Sequence, residues 1–109
     1  MKYKILNHEN KIEVEDNSGV KYPELSFFLS SSKTWVEILY EILTDIHKGL
    51  SIAEANPAHA NEEEPNIVIF DETEVDLGLE KTSISINDGE KETYETNELR
   101  LLLEVFLKK

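Results

Sequence analysis

Carboxylates carry most of the chemistry this chain offers. Glu62, Glu63, Glu64, Asp71, Glu72, Glu74 and Asp76 all fall between Gly49 and Glu80, a stretch with nine acidic residues and no lysine or arginine. Closely spaced carboxylates can bind hard cations, share protons in acid–base catalysis, or pair with the cations of a partner. The first use is poorly served. A calcium loop wants acidic or amide residues at its first, third and fifth positions and glycine at the sixth, whereas a loop starting at Asp71 offers Thr73, Val75 and Asp76. Acid–base work needs apolar shielding that drives two carboxyl pKa values apart, and solvated glutamates lack it. Pairing with a partner asks only that the charges share a surface. If the chain is extended here, Glu72, Glu74 and Asp76 project to one face while Thr73, Val75 and Leu77 project to the other. A row of like charges costs stability, a cost acceptable in a surface that steers a basic partner and then pairs with it. The competing reading is a solvated face that keeps the protein soluble.

Other reactive groups are sparse. His8, His47 and His59 are far apart and form no HExxH-like arrangement, and there is no cysteine to supply a disulfide, a thiolate or a Cys-based metal site. His47 falls near a helix C-terminus, where an imidazolium would complement the dipole. The serines cluster before a helix or alternate along a strand, without a GxSxG elbow, and neither GxGxxG nor GxxxxGK[ST] occurs. The glycines at 19, 49, 78 and 89 each have a turn, cap or strand role. The expectation is therefore a protein without catalytic residues, cofactor or metal.

Eleven basic and 23 acidic residues give a net charge of −12. Repulsion on that scale argues against a nucleic-acid backbone or an anionic membrane as the main ligand. Polar residues follow at once on Met1–Leu6, so no segment reads as a secretion signal, and the longest apolar runs, Ile67–Phe70 and Leu101–Leu103, are far too short to cross a bilayer. A cytoplasmic location is the expectation.

The elements that must position these groups follow from periodicity. Tyr3 and Ile5, then Ile12 and Val14, alternate with polar residues around Asn7–Asn10, which predicts an opening hairpin. Val20–Tyr22 and Leu25–Leu29 are candidates for a third strand interrupted at Pro23. A helix is predicted from Thr34 to about Lys48, because Thr34 and Glu37 have capping-box spacing, Gly49 offers a stop, and Trp35, Leu39, Ile42, Leu43, Ile46 and Leu50 form an apolar stripe. Trp35 is expected in the core, while Tyr40 lies off that stripe and is a candidate exposed anchor for a partner.

Residues 51–65 read as a mobile acidic connector, with a possible helical turn at Ile52–Asn56. Asn66–Phe70 reads as a buried strand, and alternation predicts strands at Val75–Leu79 and Thr82–Ile86. Asn87–Glu90 is a hairpin turn signal, with Lys91–Glu95 as the return strand. Thr96 or Asn97 caps a last helix whose face is Leu99, Leu102, Leu103 and Phe106.

The order ββ(β)αββββα, in 109 residues, predicts one α+β domain spanning 1–109: an antiparallel-rich sheet with two main helices on one face. In general form, though in no alignable residues, the chain resembles bacterial immunity proteins and other small acidic inhibitors. The resemblance implies a protein that blocks a basic partner, such as a nuclease toxin, with Glu62–Glu64, Asp71, Glu72, Glu74, Asp76 and Tyr40 as its contact residues. A DNA mimic would use the same surface. The alternative is a non-catalytic structural or regulatory subunit that forms a homo-oligomer through an apolar helix face.

Overall fold

A computed structural model describes residues 2–8, 11–56, 66–87 and 89–108. The chain runs β1 (Tyr3–His8), β2 (Lys11–Asp16), α1 (Pro23–Ser31), α2 (Lys33–His47), α3 (Ile52–Ala55), β3 (Ile67–Phe70), β4 (Thr73–Asp76), β5 (Lys81–Ile86), β6 (Glu92–Glu95) and α4 (Thr96–Leu107). The architecture is the expected α+β, with the antiparallel strands divided between a β1–β2 hairpin and a four-stranded sheet in the order β3-β4-β5-β6. Val68, Val75, Ile84 and Tyr94 face the helices and form one core with Leu25 and Phe28 of α1, Val36, Leu39 and Leu43 of α2, and Leu99, Leu102 and Leu103 of α4. The Phe28 and Phe70 rings lie 5.3 Å apart, and Trp35, expected in the core, packs against it while only partly buried, 6.1 Å from Phe70.

The third-strand candidate is corrected. Residues 20–22 make only a single bridge to β2, Lys21 opposite Glu15, held by the Val20 carbonyl and the Tyr22 N–H, and from Pro23 onward the chain is helical. Proline suits the first helical position, where its missing N–H would have no intrahelical acceptor. Tyr22 supplies no side-chain cap. Instead Glu92, 68 and 67 residues away, accepts the N–H groups of Glu24 and Leu25 at 3.0 Å each, and the Tyr94 hydroxyl donates to the same carboxylate at 2.9 Å. A carboxylate here also complements the positive end of the helix dipole.

The α2 cap is corrected as well. Ser32, rather than Thr34, receives the Trp35 N–H at 3.4 Å, and the capping box belongs to α3, where the Glu54 N–H donates to Ser51 Oγ and the Ser51 N–H to Glu54 Oε1. The C-terminus of α2 is a Schellman motif: Leu50 N–H bonds Asp45 O and Gly49 N–H bonds Ile46 O, both at 3.0 Å, with Gly49 at φ 107.

Alternation had extended β4 to Leu79, but the strand ends at Asp76 and Leu79 is 66% exposed. Gly78 turns the chain so tightly that an added Cβ would overlap the Lys81 carbonyl oxygen. A buried hydroxyl pair holds this turn. The Thr96 Oγ1 proton goes to Gly78 O at 2.7 Å, so across the 2.8 Å Thr82–Thr96 contact Thr82 must be the donor. Among the described residues, no helix is long and apolar enough to cross a membrane.

Candidate functional site: an acidic hairpin tip

The β3–β4 hairpin carries the described part of the acidic stretch. Register pairs Phe70 with Thr73, which leaves Asp71 and Glu72 as a two-residue turn. Asp71 adopts φ 57, a left-handed conformation that a short polar side chain tolerates better than a branched one. The Glu72 carbonyl accepts the N–H of Asn87, which itself has φ 51, at 3.0 Å, so this turn is tied to the end of β5.

The predicted carboxylate row is thereby shortened. Glu72 belongs to the turn rather than to an extended strand, and only Glu74 and Asp76 project from the outer face of β4. Across that face Glu74 lies between Ile69 and Ser85, and Asp76 between Ile67 and Ser83. Asp76 has internal partners: Asn66 Nδ2 donates to its Oδ1 at 2.7 Å and Lys91 Nζ stands 3.7 Å from Oδ2. Asp71, Glu72 and Glu74 have neither an ion pair nor a side-chain hydrogen bond among the described residues. Most lysines, by contrast, are engaged, with Lys2, Lys4, Lys11, Lys21, Lys81 and Lys108 each within 4.0 Å of a carboxylate elsewhere.

A shallow depression of about 210 Å³ joins Asp71, Glu72, Thr73 and Glu74 to Ile69 and Asn87. Ile69 is the residue that sequence reasoning missed. The unbroken run Ile67–Phe70 read as buried on both faces, yet Ile69 is 54% exposed while its neighbours Val68 and Phe70, on the face that meets the helices, are buried. The tip thus combines three unpaired carboxylates with an exposed apolar side chain. That combination is suited to charge-guided contact with a partial apolar anchor.

The other predicted site residues lie elsewhere. Glu62, Glu63, Glu64 and His59 fall outside the described residues. Tyr40 is in the helical layer, partly buried, with its hydroxyl donating to Glu104 Oε1 at 2.8 Å, and it borders depressions lined by helix residues such as Glu41 and Thr44 rather than by the hairpin. That bond, together with the Lys108 charge, holds the Glu104 carboxyl below its ordinary pKa. His47 is exposed in the last turn of α2. Among the described residues, no group of three or more metal-ligating side chains gathers in one place. No protein-family model, curated protein or solved structure matches the chain.

Proposed function

We propose that this chain is a small, non-catalytic binding protein that occupies a basic surface on a protein partner and inhibits it. The partner class that fits best is a cytoplasmic toxin such as a nuclease, whose phosphate-binding cleft offers clustered lysine and arginine. One observation carries the reading: among the described residues Asp71, Glu72 and Glu74 have no side-chain partner and border exposed Ile69, while most of the described lysines pair with carboxylates elsewhere. Exposed carboxylates without internal partners lose nothing on pairing with an incoming cation except hydration, and their summed field raises the association rate. Of the predicted stripe, Leu39, Ile42, Leu43 and Ile46 are buried within the chain and Trp35 is partly buried, while Leu50 lies beyond the end of α2 and is exposed, so no specific observation favours oligomerisation through that helix face.

The test is the affinity of wild type and of the Glu72→Lys, Glu74→Lys double variant for a basic protein recovered with the wild type from the host lysate. The proposal expects at least about a tenfold loss in the variant, mainly through slower association, and weaker wild-type binding at high salt. Equal affinity in the two proteins would remove the hairpin tip from the interface and the proposal with it.

A further inference from the structure

A second feature lies on the β1–β2 hairpin, beyond the acidic tip. In β2, the Val14 N–H donates to Ser26 Oγ at 2.9 Å, the Val14 carbonyl accepts from Tyr22 N–H at 2.9 Å, and the Asp16 N–H donates to Val20 O at 3.0 Å. These groups all point away from β1. By the period of two, the N–H and C=O of Ile12 point the same way. They meet no partner among the described residues. They open onto a groove of about 510 Å³ between β2 and α1, lined by Ile12, Val14 and Phe27 and by the charged Lys11, Glu13 and Lys21, with Phe27 49% exposed.

We infer that this edge pairs with the same edge of a second copy, in an antiparallel β2–β2 contact with Ile12 on the two-fold axis. The sequence around Ile12 is self-complementary for that arrangement. With Ile12 opposite Ile12 of the other copy, Lys11 of each chain stands opposite Glu13 of the other, so both flanking pairs join opposite charges. The two Ile12 residues satisfy each other's open N–H and C=O. A two-fold axis along the sheet normal keeps both α1 helices on the same side, which brings the exposed Phe27 rings together beneath the Ile12 pair. Lys11 already lies 3.5 Å from Glu13 of its own chain, so pairing exchanges one carboxylate for another.

The distribution of charge suits this face. Residues 1–33 contain five basic and five acidic side chains and are neutral, so the whole net charge of −12 resides in residues 34–109. Two copies meeting at β2 approach through their neutral ends. The contact is short, because the Val14 edge is already occupied by Ser26 and Tyr22, and the dimer is correspondingly weak.

Sedimentation velocity from about 10 µM to about 1 mM suits a contact of this size. Wild type is expected to pass from monomer to dimer in that range. Lys11→Glu sets like charges opposite each other and Phe27→Ser removes the apolar contact, and each should move the transition up by about tenfold in concentration. Lys11→Glu combined with Glu13→Lys restores opposite charges across the axis and should return the transition toward wild type, with Lys21 keeping Glu15 at 2.9 Å. Far-UV circular dichroism checks that each variant is folded. Glu72→Lys with Glu74→Lys should leave the dimer unchanged, which separates this inference from the proposed function. A dimer unmoved by Lys11→Glu and Phe27→Ser would place self-association on another face. A chain that stays monomeric throughout overturns the inference and leaves the groove to an extended segment of a different protein.

Discussion

At the scale of the residue, Asp71 serves two purposes that a substitution can separate. Its carboxylate contributes charge to the hairpin tip, and its backbone must hold φ 57 for a two-residue turn between Phe70 and Thr73. Glycine meets the second requirement without steric cost. Asp71→Gly is therefore expected to be as stable as wild type or up to about 1 kcal/mol more stable in urea unfolding, while binding a basic partner less tightly. Asp71→Val removes the same charge but places a branched side chain at positive φ, and should cost about 1–2 kcal/mol. Equal stability of the two variants would show that the turn does not depend on the conformation at this position.

At the scale of the element, α1 is the part whose existence is least local. It has proline at its start, no cap of its own and a weakly amphipathic sequence, PELSFFLSS. Its first free amides are held by Glu92 on β6, which also receives the Tyr94 hydroxyl. Removing that carboxylate leaves two partly buried N–H groups and one hydroxyl without their acceptor. Glu92→Ala should therefore destabilise the protein by about 2–4 kcal/mol, and Glu92→Gln, which keeps one oxygen in place, by less. Hydrogen exchange gives the more specific reading, since amides of α1 should lose protection while those in the middle of α2 keep theirs. Uniform loss across both helices would argue against a local cap.

For the whole molecule, ionisation sets a stability window. Partial burial pushes the Asp16 carboxyl up, but hydrogen bonds from the Val20 N–H, the Tyr22 hydroxyl and the Ser18 N–H outweigh it, and the folded pKa lies below the usual 3.8. Lys21 lowers Glu13 and Glu15 in the same way. A carboxyl depressed on folding contributes stability above its unfolded pKa and loses it as pH falls through the folded value. Glu24, raised by burial and by Glu92 and Glu90, runs in the opposite sense. At the alkaline end, burial and the bond to Asp16 push Tyr22 up to about 12 from 10.0, so its contribution is complete below pH 10.0 and disappears as pH rises toward 12. Asp16→Asn should thus be less stable than wild type at about pH 7, and the difference should shrink as pH falls below 3.8 and wild-type Asp16 takes up its proton. A difference that stays constant across that range would assign the effect of Asp16 to geometry rather than charge.

Much of this was legible in the chain itself. The α2 stripe, the Gly49 stop, the opening hairpin and the strands from Ile67 onward are written in local periodicity and turn chemistry, which act within a few residues. Composition alone fixed the size and sign of the charge and its concentration beyond residue 33. What tertiary structure decided is where distant groups meet. Leu25–Leu29 has an apolar density that suits a strand as well as a helix, and Glu92 reaching back across the fold holds the first amides of the helix that forms. The run Ile67–Phe70 conceals that Ile69 faces solvent, because exposure depends on which face of the sheet the helices cover. The acidic stretch shows no internal cation, yet Asp76 finds Lys91, because pairing depends on distance in space rather than on separation along the chain.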